Sequence, residues 1–530
     1  MRNELFNQKN QNGKVKKNVF DLTHEKKLSM NMGDLVPIYL QEVMPGDKFQ
    51  VSTEQLMRLA PMVAPLMHRV NVYTHFFFVP NRLVFDQWQD FITGGSDGKL
   101  EPTLPTMQLN GAYYTKFGQG TLADYFGINS IKAPPVKAIP INALPFRAYQ
   151  LIYNEYFRDQ TLNNEVTFNH GENVDPMDYD EILQLRKRSW EKDYFTSALP
   201  WPQRGDDVMI PSAGASPFSI PGTAIHYMDE AESTVDNGQG YVSKLGVAPN
   251  SKKISKWNED LTGGGVIGIK NIDSIDVQST GSNGSINDLR TAVRIQEWLE
   301  KNARAGARYI EQILAHFNVL SSDARLQRPE FLGGGISPIV ISEVLSTVGT
   351  TEAPQGNMSG HGISVGNNHN FSKFFEEHGY IIGIMSVLPR TTYSQGVPRT
   401  FMKTTKFDFP FPEFAHLGEQ AVYQNELFAD GTNDPLRVFG YQPRYSEYKF
   451  AMSTVHGDFR DTLNYWHMAR EWATDGSVAG GPVLNDTFTV SDPTHRIFAV
   501  TDEDYHKLYV QILNKVTAIR PLPRFGNPSF

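Results

Sequence analysis

A mainly β protein with helices confined to its connections is encoded here, on three counts. Runs rich in β-branched and aromatic residues end abruptly at prolines. Such runs lie near both extremes of the 530-residue chain, so their pairing is non-local rather than that of a meander. Helical periodicity is found only between them.

In chain order, residues 36–44 (VPIYLQEVM) set Val36, Ile38 and Leu40 on one face at the strand period before Pro45 and Gly46 turn the chain. Residues 69–79 (RVNVYTHFFFV) form a second strand, cut by Pro80. In 83–92, Val84, Trp88 and Phe91 recur at helical spacing, as do Phe146, Tyr149, Tyr153, Tyr156 and Phe157 further on. A longer helix starts near Ser285, where Ser285 and Asp288 make a capping-box start. It runs through Trp298, Leu299, Tyr309, Ile313 and Phe317, with a break or kink at Gly306. Aromatic stripes of this kind predict core packing and no ligand. Residues 380–388 (YIIGIMSVL), stopped by Pro389, and 506–519 (HKLYVQILNKVTAI), ahead of Pro521, supply two more strands.

Composition excludes several classes of function. With no cysteine there are no disulfides, thiolate nucleophiles or Cys-based metal sites. The opening MRNELFNQKN lacks a signal peptide's apolar core, which predicts a chain that stays in the cytoplasm where it is made. The best apolar run, 380–388, is too short to span a bilayer. No cofactor or metal is expected. The triplets Gly263–Gly265 and Gly333–Gly335 lack the Lys-Ser/Thr ending of a phosphate loop and read as turns. HEKKL at His24 lacks a zincin's second histidine, and His361, His369 and His378 fall in a Gly/Asn-rich stretch read as loop. Glu413 with Glu419, or Glu376 with Glu377, are only nominal glycosidase pairs in a chain with 58 acids. A carbohydrate-binding or carbohydrate-active β-sandwich protein is the alternative that the 12% aromatic content keeps open.

Charge is unevenly placed. The formal balance is -9, yet residues 2–17 hold Arg2, Lys9, Lys14, Lys16 and Lys17 against Glu4 alone. After Asp504 no acid occurs, while Lys507, Lys515, Arg520 and Arg524 do. Mobile cations repeated over many copies would bind a polyanion through counterion release. Solvated tails would look the same.

Residues 193–205, DYFTSALPWPQRG, carry no nucleophile paired with a base, and their prolines predict an extended path. The segment resembles a hallmark of the major capsid proteins of Microviridae, the small icosahedral single-stranded-DNA phages, in their gokushovirus-like branch. So do residues 20–51, with their Gly-Asp-Leu and Pro-Gly-Asp turns, FFFVPNRLVFDQW (76–88) and LPFRAYQLIYNEYFRDQ (144–160). DARLQRPEFLGGG (323–335), PEFAHLGEQAVYQNE (412–426) and GYQPRYSEYKF (440–450) extend the resemblance along the chain.

The resemblance implies an eight-stranded antiparallel jelly roll of the viral capsid type with long loop insertions containing helices. It would be one domain over residues 20–530 behind a basic arm, 1–19. The implied function is a sixty-copy T=1 shell, closed by fivefold and threefold contacts between copies, around circular single-stranded DNA. The implied location is the virion, assembled in the bacterial host cytoplasm. Implied partners are a small basic DNA-binding protein, a pilot protein, a scaffolding protein during assembly and a host surface receptor.

DNA-contact candidates are Arg2, Lys9, Lys14, Lys16, Lys17, Lys515, Arg520 and Arg524. Because aromatics and arginines dominate interfaces, Trp201, Arg204, Arg325 and Arg328 in the family-like blocks are interface candidates, with core packing the alternative for Trp201. Residues 212–284, dense in Ser, Gly, Asn and Asp but containing Tyr227, Tyr241 and Trp257, read as an ordered surface protrusion. The resemblance places it where three copies meet and face the host.

Overall fold

The computed structural model describes residues 17–208, 286–345, 358–429, 436–472, 481–502 and 504–525, with a few short pieces between them. Two compact units divide the chain, residues 1–204 with 300–530, and residues 205–299. The first unit opens with β1 (Asn18–Asp21), β2 (His24–Met30), β3 (Val36–Val43), β4 (Lys48–Leu59), β5 (Val70–Pro80), β6 (Thr106–Leu109) and β7 (Ile139–Asn142). The second holds β8 (His226–Met228), β9 (Leu245–Val247), β10 (Ile254–Lys256) and β11 (Gly268–Lys270). These pair antiparallel in nested fashion, β8 with β11 and β9 with β10. The first unit resumes with β12 (Glu330–Pro338), β13 (Val340–Leu345), β14 (Met358–Phe374), β15 (Gly379–Pro389), β16 (Glu419–Tyr423), β17 (Val438–Pro443) and β18 (Leu508–Arg520). Helices α1 (Trp88–Thr93), α2 (Leu122–Tyr125), α3 (Leu144–Ile152), α4 (Tyr179–Ile182), α5 (Ile286–Ala305) and α6 (Tyr309–Phe317) all lie in the connection from β5 to β12.

Sheet one runs β1-β18-β4-β14-β13 with β2 also on β18, and sheet two runs β12-β5-β15-β3. Their pairings are antiparallel throughout. One apolar cluster joins the two sheets: Phe49, Val51, Ile512 and Val516 from sheet one meet Ile38, Val72, Phe76, Phe78 and Met385 from sheet two. The opposite face of sheet two is buried as well. Phe77, Val79, Ile382 and Ile384 pack there on Phe146, Tyr149 and Ile152 of α3 and on Phe117 and Leu122. A strand buried on both faces must be apolar without alternation, which is why β5 and β15 read as continuous hydrophobic runs. Sheet one keeps one polar face, so β4 and β18 alternate.

The four strands expected at 36–44, 69–79, 380–388 and 506–519 are β3, β5, β15 and β18. The break expected at Gly306 is present between α5 and α6, with φ of 103° that only glycine adopts at low cost. Other expectations fail for identifiable reasons. The helix at 83–92 is split, because Asp86 N–H donates to the His170 carbonyl (3.0 Å) and only Trp88–Thr93 stays helical. Residues 193–205 are not extended throughout: Ser197 N–H donates to the Asp193 carbonyl (3.0 Å), closing a helical turn before Leu199 bridges to Tyr441.

Gly333–Gly335 are not a turn but part of β12, where a Cβ on Gly334 would stand 2.7 Å from the Thr74 carbonyl. His361 and His369 lie on β14, not in a loop. The aromatic stripe of the long helix is not core, since Trp298, Tyr309 and Phe317 are exposed.

Candidate assembly and genome-contact surfaces

The hallmark segment acts as a staple. The Asp193 carboxylate accepts the Phe195 and Thr196 N–H groups (2.9 and 2.8 Å), fixing the turn, and accepts the Tyr393 hydroxyl from the β15–β18 connection (2.8 Å). Tyr194 donates to Glu426 (2.9 Å), which Arg399 approaches at 3.0 Å. Burial pushes the Glu426 carboxyl up, and Arg399 opposes that shift. Gln442 donates to the Tyr194 carbonyl (2.7 Å), and Tyr194, Phe195, Ala198, Val422, Leu427 and Phe439 form a third core. The segment therefore locks the β5–β12 connection to the β15–β18 connection.

The basic candidates fall into three groups. Arg2, Lys9, Lys14 and Lys16 lie outside the described residues. Lys17, at the edge of the arm, donates to the Gly46 carbonyl (2.6 Å) and sits 4.7 Å from the centre of the Phe374 ring. Lys515 pairs with Glu54 at 2.5 Å. Arg520 is held by the fully buried Asp47 at 2.9 Å, which ties the end of β18 to the β3–β4 turn, whereas Arg524 is exposed. Lys17, Lys515 and Arg520 thus already have partners within the chain.

The interface candidates divide likewise. Trp201 is half-buried beneath the Arg204 guanidinium (5.3 Å), and Arg325 is exposed. Arg328 faces inward, 8% exposed, stacked on Tyr156 (4.4 Å) with Asp323 and Glu155 at 3.5 and 3.6 Å. Of the nominal carboxylate pairs, Glu377 is taken by Arg82 (2.6 Å) and Glu419 by Arg304 (2.5 Å). Among the described residues no three His, Cys, Asp or Glu side chains are grouped to hold a metal, and no helix is long and apolar enough to cross a membrane.

Residues 399–417, whose end is matched only as part of a family-like block, present a surface that no sequence expectation assigns to contact. There Phe401, Phe407, Phe409 and Phe411 stand 79%, 56%, 54% and 41% exposed, with Leu417 beyond them. Three-residue 3-10 turns at Arg399–Phe401, Lys406–Asp408 and Pro412–Phe414 hold the segment in shape. Its signal in the sequence is KFDFPFPEF, four phenylalanines among prolines with no helical period to bury them. A second apolar surface is α6 and its exit, with Tyr309, Leu314, Phe317 and Leu320 exposed. Phe407 and Phe411 each lie 6.1 Å from Phe414, ring centre to ring centre, and contiguous exposed apolar surface marks contact with other protein.

A rigid two-sheet block whose connections offer bare phenylalanines is, by class, a structural subunit. The chain belongs to the phage capsid protein (F protein) family, whose profile matches residues 9–530. It is 36% identical to capsid protein VP1 of Bdellovibrio phage phiMH2K, over 96% of this chain and 95% of that one. Capsid protein VP1 of Chlamydia phage 1 is 34% identical (97% and 96%), and that of Spiroplasma virus 4 is 30% identical (96% and 94%). The likeness to Microviridae capsid proteins read from the sequence is thus borne out. The chain is a virion structural protein, not an enzyme, and the carbohydrate-active alternative is set aside.

Proposed function

We propose that this capsid protein closes a T=1 icosahedral shell of sixty copies around single-stranded DNA, and that its two large sheets are the halves of an eight-stranded jelly roll. Take β2, β3, β4, β5, β12, β14, β15 and β18 as first to eighth. Sheet one then reads first, eighth, third, sixth, and sheet two reads second, seventh, fourth, fifth, which supports a jelly-roll winding. On this reading residues 20–530 are one capsid domain, and the compact unit 205–299 is an insertion in it. Heterologous contacts need two different surfaces per copy, and the chain has two, the 399–417 phenylalanines and α6. The exposed phenylalanines carry the proposal, because a monomer gains nothing from keeping them in water.

The arm 1–19 and the cations Lys17, Lys515, Arg520 and Arg524 are assigned to the genome side, with Trp201, Arg204, Arg325 and Arg328 at or behind contacts between copies. The intrachain partners of Lys17, Lys515, Arg520 and Arg328 make those four the weaker assignments. Residues 212–284 are assigned to host attachment. A small basic DNA-binding protein, a pilot protein and a scaffolding protein complete the assembly.

Electron microscopy of the expressed chain with nuclease treatment tests this reading. Closed particles protecting DNA are expected, and small soluble oligomers would contradict it. Removing residues 1–17 is expected to lower packaged DNA. Exchanging 212–284 between related phages is expected to change adsorption while particles still form.

A further inference from the structure

The face of sheet two that bears Phe77 also floors a cleft of about 850 Å³ beside β12. Its wall is aromatic: Phe77 lies 4.6 Å from Tyr156, 5.6 Å from Phe331 and 5.9 Å from Phe157, ring centre to ring centre. Phe331 is about half exposed at its edge.

Six cations line the cleft against the acids Asp159, Glu191 and Asp323. Four of the six have a carboxylate partner: Lys192 with Asp159, Arg390 with Glu191 (3.2 Å), Arg328 with Asp323 (3.5 Å) and Arg308 with Glu311 (3.1 Å). Arg158 and Arg188 have none within ion-pair distance among the described residues. Arg188 is spread over the Tyr73 ring (4.2 Å) and donates to the Ser386 hydroxyl (3.2 Å), while Arg158 donates to the Asn163 carbonyl (2.8 Å).

Three buried guanidinium Nε donors beside the cleft make no hydrogen bond, those of Arg158, Arg308 and Arg328; Arg308 reaches the Arg158 carbonyl through Nη2 (3.1 Å), and Arg328 Nε faces Asp323 and Glu155 at 3.5 and 3.6 Å. Folded proteins leave few buried donors unmade. The two guanidiniums without carboxylates, Arg158 and Arg188, leave positive charge at the cleft wall uncompensated, and arginine forks match phosphate oxygens. A cationic groove with an open aromatic edge is how single-stranded nucleic acid is held without reading sequence.

We propose that this cleft binds a nucleotide, its phosphate between Arg158, Arg188 and Arg308 and its base against Phe331. This deepens, and rests on, the reading of a shell that encloses single-stranded DNA. A strand of the genome and a free nucleotide share the chemistry.

The test uses the full chain and a fluorescein-labelled ten-nucleotide oligo-dT, followed by anisotropy at several salt concentrations. Arg158→Gln is expected to weaken binding and to lower the salt-dependence slope by about one. Phe331→Ala is expected to weaken it about fivefold or more, since stacking is lost. Thermal melting checks both variants for folding. Photocrosslinking of 5-iodouracil DNA to the unaltered protein keeps the test independent of the variants, and crosslinks at Phe331 or Tyr156 support the site.

Displacement of the oligonucleotide by dTMP at comparable concentration assigns a free nucleotide. Displacement only by another oligonucleotide assigns the genome. Equal displacement by polyglutamate, or crosslinks only elsewhere, overturns the proposal. Particles that hold DNA but give no crosslink in the cleft reject the cleft alone, whereas particles without DNA reject the enclosing shell.

Discussion

The phenylalanines of β5 and those of residues 399–417 are the same side chain put to opposite uses. Phe76 and Phe78 are 1% and 2% exposed between two sheets, and Gly383 leaves room for the Phe76 ring, 2.6 Å from where a Cβ would stand. Phe401 and Phe407 stand in water on short 3-10 turns. Burial of the first set happens on folding, and on the proposed reading burial of the second waits for another copy. A shell subunit needs both, a block that is rigid alone and a surface that is satisfied only in company.

Breaking the folded half of this comparison should have the largest effect. Phe76→Ala removes a ring packed on Tyr39 and Phe371 and is expected to cost about 3–5 kcal/mol, read as a lower denaturant midpoint of the unassembled chain. Asp47→Ala strips the buried partner from Arg520 and is expected to cost about 3 kcal/mol or more in the same assay. A loss under about 1 kcal/mol would show that this end of β18 is held by its strand pairing alone.

A smaller effect is pH-dependent. Burial raises the Asp34 carboxyl to about 6, against the opposing pull of Lys187. A folded-state pKa above the unfolded one means the group's contribution is fully present below about 4 and is lost as pH rises through about 6. Asp34→Asn is therefore expected to match the parent chain at pH 4 and to exceed it by about 2 kcal/mol at pH 8. Denaturation at the two pH values checks this, and an equal difference at both would reject the burial account. The smallest stability effect is expected from Phe401→Asp with Phe407→Asp, within about 0.5 kcal/mol, because those rings have little folded environment to lose.

The same division governs what could be read in the sequence. β3, β5, β15 and β18 were legible because burial on one or both faces writes a period or an unbroken apolar run. β12 and β14 were not: Gly333–Gly335 and the Gly/Asn-rich stretch around His361 and His369 look like loop, and the close approach of Thr74 and His75 explains Gly334. Interior partners are equally silent, so Arg520 and Arg328 read as free cations until Asp47 and Asp323 are seen beside them. The 399–417 surface escaped notice because its phenylalanines follow no secondary-structure period. The staple of residues 193–205 could be matched to a family but not explained, since its partners Tyr393, Glu426 and Gln442 lie some 200 residues or more away.

The most direct measurement is sedimentation velocity with electron microscopy on the parent chain and on Phe401→Asp/Phe407→Asp/Phe409→Asp under assembly conditions. Closed particles from the parent and folded, unassembled subunits with an unchanged melting temperature from the variant are the expected result. Particles from the variant at the parent's yield would contradict the claim that these phenylalanines are kept bare for another copy.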